Sequence, residues 1–185
     1  MHPDGERVFT CSTDMHLKEW SVKDSEDEII ASNIINEIYD YGEIHKYSIT
    51  SLVITPDGNF LLTSGGDQSL KQWNIKDRIL VHEFKEAHHD IIKVLACTPD
   101  SLYVFSGGDD KQLKQWSIIE GRLVRSYGPI HSKWVRGIVI TKSGKFILTS
   151  SEDCGLKQFQ IDNAKLVHDY GMAHDHAITD IAIMP

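Results

Sequence analysis

Four histidines, His45, His88, His131 and His174, stand at one interval of 43 residues. Other landmarks keep the same step. Trp73, Trp116 and Phe159 do so, as do Pro56, Pro99, Lys142 and Pro185. Self-similarity at about 40 to 45 residues marks a repeated unit of four antiparallel strands, one β-propeller blade per repeat. A single unit cannot bury its apolar face alone, so successive units must stack. The period therefore predicts an all-β fold, and no segment carries a sustained helical period.

The unit that starts at His45 shows the plan. Residues 49–54, Ile-Thr-Ser-Leu-Val-Ile, are β-branched and apolar and read as an inner strand buried on both faces. Thr55-Pro-Asp-Gly58 is turn chemistry: Pro presets φ, Asp bonds back to the chain and Gly accepts a positive φ. A second strand is expected over 59–63, a turn at Gly65-Gly-Asp67, a third strand over 70–75 and a more polar outer strand over 78–84. The same scheme places inner strands at 91–97, 135–140 and 178–184. Second strands fall at 8–10, 103–106 and 146–150, and third strands at 17–22, 113–118 and 156–161. The units run approximately 1–44, 45–87, 88–130 and 131–173, with a final inner strand in 174–185.

This gives sixteen expected strands, the content of about four blades, cut after the first inner strand. Three arrangements answer the cut. The chain is part of a longer protein, or two copies complete an eight-bladed ring as a homodimer, or one copy closes as a four-bladed ring. Each lies within the range of about 4 to 8 blades seen for propellers. One irregularity breaks the step: Trp20 precedes Trp73 by 53 residues, and the excess includes the acidic, then apolar, loop 25–33. Loops lengthen at small entropic cost. The segment reads as a tolerated insertion, with partner docking as the alternative.

The formal charge of −8 argues against a broad phosphate-binding face, so nucleic acid is not an expected partner. No apolar run approaches the ~18 residues of a membrane span. Cys11, Cys97 and Cys154 are odd in number and lack paired spacing, which disfavours a disulfide framework. The expected setting is cytoplasmic, with the nucleus as alternative.

Ten histidines raise the question of a metal, with His88-His89 and His174-Asp-His176 as candidates. Neither has zinc-ligand spacing, and four histidines belong to the repeat. No Gly-x-Ser-x-Gly, P-loop or His-Glu-x-x-His motif occurs. No cofactor is expected. A catalytic centre is one unique constellation, whereas the Ser, His and Asp sets here recur in each unit. The alternative is a propeller-fold enzyme or a metal-dependent hydrolase.

His, then a strand, then Pro-Asp-Gly, then Ser-Gly-Gly-Asp, then Leu-Lys-Gln-Trp resembles the WD-repeat family of β-propellers over essentially the whole chain. The resemblance implies a hydrogen-bonded tetrad in each blade: the His, an Asp of the second turn, a Ser or Thr of the second strand and the Trp. Carried over by position, the sets are His45, Ser64, Asp67 and Trp73; His88, Ser106, Asp110 and Trp116; and His131, Ser150, Asp153 and Phe159. Phe159 has no indole donor. The Trp-Asp dipeptide itself is nowhere intact. Glu19, Gln72, Gln115 and Gln158 precede the aromatics where the family often has an apolar residue, and this column either faces water or lines a groove.

The resemblance also implies a non-catalytic scaffold that binds a protein or peptide through loops on the top face. That face forms where inner strands begin and where second strands end. It draws attention to Ile91, Lys93, Asp109, Trp134, Arg136 and Glu152. Trp and Arg are enriched at binding hot spots. The competing role for Trp134 is packing against a neighbouring blade.

Overall fold

The computed structural model describes residues 2–22 and 35–184. The loop 25–33 lies outside the described residues. The rest is all β: fifteen strands in four antiparallel sheets. The first sheet has three strands, β1 (Arg7–Cys11), β2 (His16–Val22) and β3 (Ile35–Glu43). The second has β4 (Ile49–Ile54), β5 (Phe60–Gly65), β6 (Leu70–Asn74) and β7 (Ile79–Phe84). The third has β8 (Ile92–Cys97), β9 (Tyr103–Gly108), β10 (Gln112–Ser117) and β11 (Arg122–Pro129). The fourth has β12 (Val135–Ile140), β13 (Phe146–Ser151), β14 (Gly155–Gln160) and β15 (Leu166–Met172). The last three sheets are meanders from inner to outer strand, the first lacks the inner strand, each is a β-propeller blade, and the ring is not closed.

The turn chemistry acts as its residues dictate. Gly58 has φ +74°, and the matching positions hold Ser101 at +60° and Gly144 at +67°. At each turn a threonine hydroxyl takes the backbone N–H of the residue that starts the next strand: Thr55 from Phe60, Thr98 from Tyr103 and Thr141 from Phe146.

The expected sixteenth strand is not formed. Ile178 N–H donates to Ser151 O at 3.1 Å, so 178–184 starts beside the fourth sheet as an inner strand would. It is not a strand because every inner strand is held by its second strand, and none stands next to 178–184 among the described residues.

The core lies between sheets rather than within one. Phe9, Leu17 and Ile49 pack between the first and second sheets, Leu62, Leu70 and Ile92 between the second and third. Phe105, Leu113 and Ile147 pack between the third and fourth. Aromatic pairs cross each interface edge to face. Tyr41 meets Trp73 at 5.9 Å, Phe84 meets Trp116 at 5.2 Å and Tyr127 meets Phe159 at 5.9 Å between ring centroids. Tyr41, Phe84 and Tyr127 are themselves 43 residues apart. Tyr170, the next in the series, is 46% exposed.

The column of polar residues before the aromatics turns away from water: Gln158 is half-buried, and Gln115 lines a groove between the third and fourth sheets with Arg125 and Lys145. Glu19, Gln72 and Gln115 are buried. Gln72 Nε2 donates to Ile118 O of the next sheet at 3.0 Å. Glu19 accepts from Arg78 of the next sheet at 3.1 Å, and Arg78 stacks 4.7 Å over Tyr39. Glu19 and Gln72 thus clasp one blade to the next.

Candidate functional site

Three of the four repeat histidines, His45, His88 and His131, sit buried at the mouths of their blades and bond in both directions, whereas His174 is exposed. His45 Nδ1 lies 3.0 Å from Asp67, His88 Nδ1 2.9 Å from Asp110 and His131 Nδ1 3.0 Å from Asp153. On the other side, His88 Nε2 lies 2.7 Å from Ser106 Oγ, which accepts from Trp116 Nε1 at 2.8 Å. In the second sheet the hydroxyl is Thr63, 3.0 Å from His45 Nε2 and 3.1 Å from Trp73 Nε1. In the fourth it is Thr149, 3.0 Å from His131 Nε2. Phe159 leaves that hydroxyl without an indole donor.

Ser64 and Ser150 therefore do not belong to the tetrads. Side chains alternate across a strand, so the residue after Thr63 or Thr149 points to the opposite face. Ser64 Oγ lies 3.4 Å from Thr50 Oγ1, and Ser150 Oγ is buried with no hydrogen-bond partner among the described residues. A strict 43-residue step from Ser106 identifies Thr63 and Thr149. The ten-residue spacing from this hydroxyl to the aromatic also finds Thr10 in the first sheet, which accepts from Trp20 Nε1 at 2.8 Å.

One direction of donation gives every polar hydrogen an acceptor: indole N–H to hydroxyl, hydroxyl to Nε2, and Nδ1–H to carboxylate. Burial pushes the His131 pKa below its ordinary 6.5, against the pull of Asp153. Burial would raise the Asp153 carboxyl, but backbone N–H groups of Ser132 and Gly155 and the His131 ring outweigh it and hold it at about 2. Asp67 and Asp110 are likewise held low, because His45 and His88 outweigh burial.

The linkage runs one way for both groups. A histidine whose folded pKa is lowered takes up its proton more readily when unfolded, so stability falls as pH drops through 6.5. The lowered aspartates contribute stability above their unfolded pKa and lose it as pH falls toward their folded values. His16, raised by Asp40, works in the opposite direction. We therefore expect an H16Q variant to show a falling denaturation midpoint from pH 7.5 to 5.5 and a further fall below pH 4. A midpoint that rises over the first interval overturns the assignment.

The other cluster stands where inner strands begin and second strands end. Three backbone bonds join those points: Gly66 N–H to Ser48 O at 2.9 Å, Asp109 N–H to Ile91 O at 2.9 Å and Glu152 N–H to Trp134 O at 3.1 Å. In each inner strand the register slips at the same place, between Ile49 and Ser51, between Ile92 and Val94, and between Val135 and Gly137. The residue left out of the ladder is Thr50, Lys93 or Arg136. A bulge re-aims its side chain.

Lys93 then meets Asp109 at 3.5 Å, and Arg136 Nε meets Glu152 at 2.9 Å. The Arg136 guanidinium lies 5.0 Å over the Trp134 ring, and Trp134 is 40% exposed. Ile91 is half-buried beside them. Tyr47, not singled out from the sequence, is exposed beside Gly66 at the same end of the second sheet. Its signal is position alone, one residue from the step that yields Ile91 and Trp134.

Among the described residues no three His, Cys, Asp or Glu side chains converge as a metal-binding group. Among the described residues no helix is long and apolar enough to cross a membrane.

The family model for the WD domain, G-beta repeat, matches residues 40–74, 79–117 and 121–160, more than half of the chain. Curated relatives share shorter stretches. The "WD repeat-containing protein on Y chromosome" of Drosophila grimshawi is 34% identical over 74 residues, 40% of this chain and 6% of that protein. Its counterpart in Drosophila pseudoobscura pseudoobscura is 32% identical over 74 residues, 40% of this chain and 7% of that protein. The "Coronin-like protein" of Saccharomyces cerevisiae is 34% identical over 83 residues, 44% of this chain and 11% of that protein. The match thus spans a small part of each relative's length.

Proposed function

Because the chain belongs to the WD-repeat family, whose members generally act as protein-interaction scaffolds and are generally non-catalytic, we propose that it binds a protein or peptide partner through the end of the blades that carries Trp134, within a larger assembly. One observation carries this reading. Two successive blades raise an ion pair on matching bulges, Lys93–Asp109 and Arg136–Glu152, beside an exposed Trp stacked on Arg136. Such a Trp–Arg pair offers a large rigid contact with a fixed charge at low entropic cost, the make-up of a binding hot spot. Ile91 supplies apolar surface next to it. The formal charge of −8 disfavours nucleic acid and anionic membrane surfaces as partners. We place the protein in the cytoplasm, with the nucleus as the alternative.

The test is capture from a native lysate, followed by affinity measurement with the recovered partner. Trp134→Ala is expected to weaken binding by ~2 kcal/mol or more, roughly thirtyfold, with an unfolding midpoint near that of the parent. Unchanged affinity with a destabilised fold makes Trp134 a packing residue and sinks the proposal.

A further inference from the structure

The carboxylate of Asp109 is the anomaly of this surface. The residue is 8% exposed, and its Oδ1 is buried with no hydrogen-bond partner among the described residues. Its Oδ2 has only the ammonium of Lys93, at 3.5 Å. A carboxylate has about four acceptor sites, and a buried one left short of donors costs free energy that the fold does not recover. At the matching position of the next blade the contrast is plain. Glu152 takes both Nε and Nη2 of Arg136 and is more exposed. At the matching position of the previous blade stands Gly66, which carries no charge.

The neighbours make the shortage one-sided. Asp90 and Asp109 feel one another, and Glu152 brings a third carboxylate, against the two cations Lys93 and Arg136. Arg136 is already committed to Glu152 and to the face of Trp134. Burial raises the Asp109 pKa despite the pull of Lys93 and Arg136, as expected for a carboxylate with too few donors.

Resting on the top-face reading above, we propose that Asp109 is a receptor for a cationic side chain of the bound peptide, an arginine or a lysine. Lys93 acts as its internal stand-in. The ammonium of Lys93 rides on a flexible four-carbon stem and swings aside. The incoming guanidinium or ammonium then supplies the donors that Asp109 lacks. The exposed part of Trp134 gives the stem of the guest an apolar wall. Arginine fits better than lysine, since its planar fork can engage both carboxylate oxygens at once. An acidic guest meets three carboxylates and gains no free cation.

The test titrates the labelled full chain with N-acetyl-arginine amide, N-acetyl-lysine amide and N-acetyl-glutamate amide. The readout is the Trp134 indole N–H resonance, assigned with W134F. We expect saturable shifts with the arginine probe, weaker ones with lysine and none with glutamate. D109N should weaken the arginine probe by about tenfold, as for a charge-assisted hydrogen bond. K93Q should tighten it by about two- to fivefold, the effect of removing a weak competing ion pair. A purely structural role for Lys93 predicts no such gain, so K93Q decides the matter even if D109N fails to fold. The inference is overturned if no probe shifts the resonance, if glutamate shifts it as strongly as arginine, or if both variants titrate like the parent. The lysate test with Trp134→Ala is independent. If that loss persists while the probes fail, the cation assignment falls and the top-face reading stands.

Discussion

Replacing Phe105 with alanine is expected to cost ~3–5 kcal/mol of folding stability, the usual range for emptying a buried aromatic site. Phe105 on β9 is fully buried and packs 6.0 Å from the Tyr127 ring, in the cluster that joins the third and fourth sheets. The strands on both sides are paired to β9 at Phe105 itself, through Ala96 and Gln115, so the site cannot collapse cheaply. Val124→Ala on the exposed outer strand β11 provides the control and should change stability by less than about 0.5 kcal/mol. Denaturant unfolding of both variants reads the difference. A loss below about 1 kcal/mol for Phe105→Ala means that the sheets are not packed as described.

The second large effect is expected from Asp110→Ala, at roughly 1–3 kcal/mol. The substitution leaves His88 Nδ1, which is fully buried, without its acceptor at 2.9 Å. It also frees the N–H of His89, which Asp110 takes at 3.1 Å. The hydroxyl of Ser106 and the indole of Trp116 continue the same chain of bonds, so the damage spreads along a network. Asp153→Ala should cost less, because Phe159 has already removed one link in that blade and Asp153 is the more exposed carboxylate. Equal losses from the two substitutions count against the network as the source of the effect.

The 43-residue step made blade number, strand order and the His–Asp pairs legible, because each rests on one conspicuous residue type per turn of the repeat. It failed where two candidates were adjacent. Thr63 and Ser64 both carry hydroxyls, as do Thr149 and Ser150, and only strand alternation tells which one faces the histidine. The step from Ser106 would have decided it. The aromatic series Tyr41, Phe84, Tyr127 was hidden for another reason: it mixes residue types and lies in outer strands whose composition reads as polar. The bulges had no sequence signal, since Thr50, Lys93 and Arg136 share no chemistry. They emerge only from the pairing register.

The edge-to-face contacts at Trp73, Trp116 and Phe159 each join one sheet to the next. A molecule built this way behaves as a row of coupled links, with no centre through which all blades communicate. Its cooperativity is therefore only as strong as its weakest coupling, and at Phe159 the ring that makes the contact lacks the indole bond that anchors Trp73 and Trp116 in their own sheets. Transient opening is then graded along the chain, and the fourth sheet, whose β15 is exposed throughout, separates from a still-folded remainder. Across the same pair of sheets Arg136 of the fourth attracts Asp109 of the third, and on the proposed function both belong to the surface that a partner covers. Occupancy of the surface and closure of the weakest link thus draw on the same free energy.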